Sequence, residues 1–277
     1  MNLVTPPTRP DCDAGMIIME ATDYPPMSGS NTICTVTVLL ETGMLPMREP
    51  VTTLTLDTPA GPVPVEARCR GGKVERVQFT NVPCFVTHLD AMLDVEGVGR
   101  IPVDVAYGGA FFAIVDAPSL GFAVEPKEAR DLVAVGNRIA AAAAQQLPVR
   151  HPENPDIHTV TFAEFAMPFA GPGTVSRNAV IVAPGRIDRS PCGTGTSARL
   201  AVLHARGQLV AGQGFIHESI IGSRFEAGIV SEATVGGRQG IVPTIAGQAW
   251  ITGVFQHGVD PSDPFRGGYT LPDLWFA

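Results

Sequence analysis

Apolar positions in this chain come in short runs, broken by Gly and Pro, rather than in long stripes. Gly15 to Met19 predicts a buried strand, ending at the Tyr24-Pro25-Pro26 turn. Ile33 to Leu40 reads as an apolar helix with Gly43 just past its end. Val51 to Leu56, Val63 to Arg68 and Val74 to Phe79 are alternating or β-branched, which predicts hairpin strands with Gly71-Gly72 as the clearest turn. Ile101 to Val105 and Phe111 to Val115 form a strand pair around Tyr107-Gly108-Gly109. Pro126 opens a long helix reaching Leu147, and His151 to Pro155 is loop. Thr159 to Phe162 and Ala179 to Val182 are strands, and a helix then runs from Cys192 to a stop at Gly207. Gly214 to Ile229 and Arg238 to Val254 are strand-like again, and the Pro/Gly-rich tail from Pro261 carries Trp275 as an expected anchor.

The pattern repeats. Setting Ser28 on Cys192, an offset of 164 (192 − 28), aligns Gly29 with Gly193, Thr32 with Thr196 and Val38 with Val202. Leu39 falls on Leu203, Gly43 on Gly207, Leu45 on Leu209, and Ile17-Ile18 on Ile181-Val182. Strand, turn and helix coincide without a gap, so the chain consists of two related halves. The expected division is a first half over residues 1–100, a second over 101–250, and a segment 251–277 returning towards the first half. Before Cys192 the second half has a strand pair, a long helix and a further strand, whereas before Ser28 there is little more than one strand. The expectation is that the first half lacks its start, leaving sheet edges exposed.

Composition narrows the class. Hydrophobic content of 45% and charged content of 17% support a packed core, and the net charge of −8 without a basic run disfavours nucleic acid and anionic membrane surfaces. The start lacks the pattern of a signal peptide, and no apolar run approaches the ~20 residues of a membrane span. Five cysteines, an odd number without metal-ligand spacing, read as reduced thiols of a cytoplasmic protein. Cys34, inside the first helix, reads as packing, and the six histidines are scattered as surface or structural groups, His204 at a core boundary.

Chemistry concentrates at Asp188-Arg189-Ser190-Pro191-Cys192-Gly193-Thr194-Gly195. Cys192 sits at a helix start, where unpaired N–H groups and the positive end of the macrodipole should lower a thiol pKa. Two such helix starts facing one cleft would make a site for a carboxylate, with Ser28 and Cys192 on opposite sides of an α-carbon. Gly193 to Thr196 lacks the Gly-Lys-Ser/Thr of a phosphate loop, and no Gly-x-Ser-x-Gly elbow supports a serine hydrolase.

At these residues the chain resembles the proline racemase family, which includes 4-hydroxyproline epimerases and trans-3-hydroxy-L-proline dehydratases. The second-half motif carries the likeness most specifically. In Met27-Ser28-Gly29-Ser30-Asn31-Thr32-Ile33, serine stands where racemases carry cysteine, and Ser30 stands at a histidine position. The resemblance implies an α+β, diaminopimelate-epimerase-like, pseudo-symmetric two-domain fold, each half a β-rich sheet wrapped on a central helix. It implies no cofactor and no metal, a small imino acid substrate, and allows a homodimer. Ser28 and Cys192 are the implied catalytic pair. Gly29, Ser30, Gly193 and Thr194 match positions holding the substrate carboxylate, and Asp188 the position binding the ring amine.

Epimerisation needs an effective acid and base on both faces of the α-carbon, and a serine hydroxyl is a poor base. Dehydration of trans-3-hydroxy-L-proline needs only one, because the departing hydroxyl shares a ring face with the α-hydrogen. Elimination to Δ1-pyrroline-2-carboxylate is therefore the leading expectation, 4-hydroxyproline 2-epimerisation the alternative, and a truncated non-catalytic relative the third reading. Which of Ser28 and Cys192 is the base stays open.

Overall fold

The computed structural model describes residues 1–19, 24–182 and 185–268. Its elements follow the duplicated order. The first unit is β1 (Asn2–Thr5), β2 (Ala14–Ile18), α1 (Gly29–Glu41), β3 (Val51–Thr58), β4 (Gly61–Arg70) and β5 (Lys73–Thr80). Then come β6 (Cys84–Val95), β7 (Gly99–Tyr107), β8 (Phe111–Asp116) and α2 (Ala129–Gln146). The second unit is β9 (Val160–Ala166), β10 (Val175–Val182), a short β11 (Arg186–Ile187), α3 (Gly193–Ala205), β12 (Gly214–Glu218), β13 (Arg224–Val235) and β14 (Arg238–Gly247).

Pairing confirms that the units are equivalent. β1 and β2 are antiparallel, as are β9 and β10; β2 runs parallel to β3, as β10 does to β12; and both units end in an antiparallel meander. The units meet where β5 pairs antiparallel with β14, and Thr80 faces Thr244, its own counterpart at the offset of 164. One strand path thus runs β1-β2-β3-β4-β5-β14-β13-β12-β10-β9-β8-β7-β6. This is the mixed α+β, pseudo-symmetric arrangement expected from the sequence.

The two central helices coincide: α1 and α3 are each 13 residues long and begin and end at positions 164 apart. Both stop the same way. Gly43 (φ 74°) and Gly207 (φ 68°) take the left-handed conformation that closes a helix, and Leu45 and Leu209 then donate back to Leu39 and Leu203. Leu39 and Leu203 are fully buried counterparts, each contributing about 1.5–3 kcal/mol. Cys34 departs from its expected packing role: it lies on the exposed face of α1, with Val38 one turn on, while the buried face is formed by Ile33, Val36, Leu39 and Leu40.

Two large apolar clusters fill the molecule. One wraps α1 and takes Leu200, Ala201 and Leu203 from α3; the other lies between α2 and strands β6 to β10. β6, within residues 1–100, pairs with β7 and β14 and contributes Phe85, Leu93 and Val95 to the second cluster. The parallel strands β8 and β9 are joined through α2, which packs on β9.

Some elements differ from expectation. β1 escapes the periodicity because four residues are too few to show a face. β6 escapes it because two register shifts and a left-handed Asp90 (φ 51°) break its alternation. Gly214 to Ile229 is two strands turning at Ser219–Ser223, and β14 ends at Gly247 rather than Val254. Trp275 lies outside the described residues. No described helix is long and apolar enough to cross a membrane.

Candidate active site

The N-termini of α1 and α3 meet head to head. A Cβ built on Gly29 would lie 2.8 Å from the Gly193 Cα, and one on Gly193 would lie 2.7 Å from the Gly29 Cα. The Phe79 ring of β5 lies against both glycines. Ser28 and Cys192 immediately precede the touching residues, so the two implied catalytic side chains flank one junction. Every helix has orphan N–H groups at its start, and here two sets converge, favouring an anion such as a carboxylate.

The Tyr107-Gly108-Gly109 turn closes over the first turn of α3. A Cβ on Gly108 would fall 2.1 Å from the Thr194 carbonyl oxygen, so only glycine permits this approach. Asn81 ties the turn to the helix, donating to the Gly108 carbonyl (2.9 Å) and to Ser197 Oγ (2.8 Å).

The two halves present their pair differently. Cys192 caps α3 in a left-handed conformation (φ 63°, ψ 108°), and its Sγ accepts from the Gly195 N–H at 3.4 Å and lies 3.5 Å from Thr194 Oγ1. The loop ahead of it is ordered in sequence: Asp188 Oδ1 accepts from the Ser190 N–H (2.8 Å), and Ser190 Oγ accepts from the Cys192 N–H (3.1 Å). Asp188 thus shapes the cysteine turn, a role besides the amine contact implied for it. Ser28 is extended (φ −151°, ψ 126°) and makes no backbone cap bond. Its Oγ accepts from Asn31 Nδ2 at 2.9 Å and lies 3.5 Å from Ser30 Oγ. Asn31 occupies the position equivalent to Gly195, so a side-chain amide donates where a backbone amide donates in the other half. The sequence held that signal in the aligned motifs, but only the geometry gives Asn31 its function.

Burial reverses one expectation. Cys192 is 9% exposed, and burial pushes its thiol above the ordinary value. The negative charge of Asp188 adds to the rise, and the hydrogen bonds from Thr194 and Gly195 only partly offset it. The low thiol pKa expected at a helix start is therefore corrected: burial and the Asp188 charge outweigh the hydrogen bonds that the helix start gives the sulfur. Thiolate forms late on raising the pH, and once formed is a strong base. Alkylation of Cys192 by iodoacetamide, followed by mass spectrometry of its peptide, is expected still to accelerate above pH 9, with exposed Cys34 reacting at lower pH as an internal comparison. A plateau for Cys192 below pH 8 would contradict the assignment.

The proline racemase family model matches residues 1–270. The chain is 43% identical, at a TM-score of 0.90, to the crystal structure of a probable proline racemase from Agrobacterium radiobacter K84 with bound carbonate, covering 99% of this chain and 80% of that one. It is also 43% identical, at a TM-score of 0.90, to a hydroxyproline epimerase from Agrobacterium vitis with bound trans-4-hydroxy-L-proline, covering 99% and 78%. A phenazine biosynthesis protein of the PhzF family from Bacillus anthracis, 12% identical with a TM-score of 0.53 over 87% of this chain and 79% of that one, shares the fold alone.

Proposed function

We propose a function from one premise: the chain belongs to the proline racemase family. Racemase- and epimerase-type chemistry begins with removal of an α-proton, and this chain applies it to a hydroxyproline. The leading reading is dehydration of trans-3-hydroxy-L-proline. The observation that carries it is the Ser28 hydroxyl, whose hydrogen-bonding neighbours among the described residues are the Asn31 amide donor and the Ser30 hydroxyl, neither a base. Cys192 is the group able to hold and return a proton, and the N–H groups of the two helix starts stabilise the negative charge that spreads onto the substrate carboxylate. In the elimination the α C–H bond breaks to the base, its electron pair forms the ring double bond, and the hydroxyl leaves as water with the proton just taken. The enamine product tautomerises to Δ1-pyrroline-2-carboxylate.

Epimerisation of 4-hydroxyproline is the second reading, favoured by the 43% identity to the hydroxyproline epimerase crystallised with trans-4-hydroxy-L-proline. Incubating the purified protein with trans-3-hydroxy-L-proline, a pyrroline-carboxylate reductase and NADPH is expected to consume NADPH, while trans-4-hydroxy-L-proline leaves optical rotation unchanged. Rotation change alone would select the epimerase, and turnover of neither substrate would eliminate both.

A further inference from the structure

Around Pro191 and the first turn of α3 lies a group of buried polar residues drawn from three strands and the helix. Glu164 of β9 and His217 of β12 are both 0% exposed, Asn178 of β10 is 1% exposed, and Thr196 of α3 is 0% exposed. Burying four such side chains is costly unless they serve each other. Two of them share one acceptor, the carbonyl oxygen of Pro191, the residue before the cysteine, while the Glu164 carboxyl oxygens and His217 Nε2 have no hydrogen-bond partner among the described residues. Asn178 Nδ2 donates to that carbonyl at 2.8 Å and Thr196 Oγ1 at 3.3 Å.

The donor count orders the rest. A threonine hydroxyl has one hydrogen, so while Thr196 donates to Pro191 it must accept from His217, whose Nδ1 lies 2.8 Å away. His217 then carries its proton on Nδ1 and presents a bare Nε2 towards Glu164 Oε1, 3.8 Å distant. At that separation the two groups pack without a hydrogen bond. Burial raises Glu164 to about 8 against the pull of Arg199, and burial with the Arg199 charge lowers His217 to about 3, keeping it neutral. A Cβ on Gly195 would lie 2.8 Å from Glu164 Oε2 and 3.3 Å from Cys192 Sγ, so one glycine separates this group from the thiol.

The left-handed backbone of Cys192 gives the group its purpose. A non-glycine residue at φ 63° persists only where its surroundings over-determine it. We propose that Thr196, Asn178, His217 and Glu164 are positioning residues for Cys192, acting through the Pro191 carbonyl to hold the cysteine turn so that Sγ stays on the Gly195 N–H. The proposal rests on Cys192 as the proton-transferring group, but it can be read without substrate.

Thr196→Val keeps the shape and removes the hydroxyl; Thr196→Ser keeps the hydroxyl. Freed of one restraint, the Pro191–Cys192 unit relaxes and the sulfur loses its amide donor. The rate of Cys192 alkylation at pH 9 should therefore fall about tenfold in Thr196→Val, with wild-type behaviour restored in Thr196→Ser. On whichever hydroxyproline the wild type turns over, kcat should fall roughly tenfold or more while KM stays within about threefold. Should Thr196→Val lose its cooperative melt, Asn178→Ala carries the same test from the other donor. An unchanged alkylation rate in a folded Val or Ala variant, or a Ser variant as impaired as Val, overturns the proposal. A lowered alkylation rate in a protein inert to both hydroxyprolines would uphold the positioning and reject the functional reading.

Discussion

Cys192→Ala should lose roughly a thousandfold or more in turnover, with its fold intact, because positioned proton transfer contributes about 10²–10⁴-fold and Cys192 is the proton-transferring group of the proposed reaction. Alanine suffers the left-handed turn no worse than cysteine does, and the substitution removes one sulfur atom, with its contacts to Gly195 and Thr194 and a small share of apolar packing. Far-UV circular dichroism and the melting temperature should therefore change little while NADPH consumption in the coupled assay disappears. Ser28→Ala is the informative companion. If elimination proceeds on one ring face through Cys192, losing the serine should cost less than about tenfold, since it removes a hydroxyl without base character. If the reaction is epimerisation, the serine serves the opposite face and its loss should rival that of the cysteine. Full activity in both variants would dismiss the pair altogether.

The second large effect concerns the junction of the helices. Gly193→Ala places a methyl group 2.7 Å from the Gly29 Cα and 3.4 Å from the Phe79 ring, and neither the backbone nor the packed ring can swing aside. The helix starts must separate. Overpacking of this kind costs about 1–3 kcal/mol or more, and for a chain of this size each kcal/mol lowers the melting temperature by about 2–4 °C. The loss of activity should be larger in proportion, about 10²-fold, because the carboxylate site and both flanking side chains shift with the helices. Gly228→Ala is the control: its nearest neighbour would stand at 3.5 Å, and melting temperature and activity should hold. A Gly193→Ala protein with wild-type kinetics would mean that the converging helix starts do not hold the substrate.

Most of the frame was legible in the sequence because duplication writes the same requirement twice. Glycine recurs at 29 and 193 since two backbones touch there, and at 43 and 207 since two helices end there. What escaped was the part set by tertiary burial. The raised thiol of Cys192 comes from strands β7, β8 and β10 packing around α3, which no local motif records. His217 looked like one more scattered histidine, and Glu164 lies beyond the strand expected over Thr159 to Phe162; only the sheet brings them together. β6 was unreadable because its bulges destroy the periodicity that identifies strands.

The pairing of β5 with β14 has a further meaning. Strands that meet through their own counterparts, Thr80 against Thr244, form the kind of self-complementary contact that joins two identical subunits across a twofold axis. A dimer of one half would be bound to carry the same side chain at both helix starts, and any change on one face of the cleft would be copied to the other. Joined in a single polypeptide, the two positions vary independently. Serine at 28 opposite cysteine at 192 is a divergence that the covalent union of the halves permits, and on the proposed function it lets one ring face of a substrate meet different chemistry from the other.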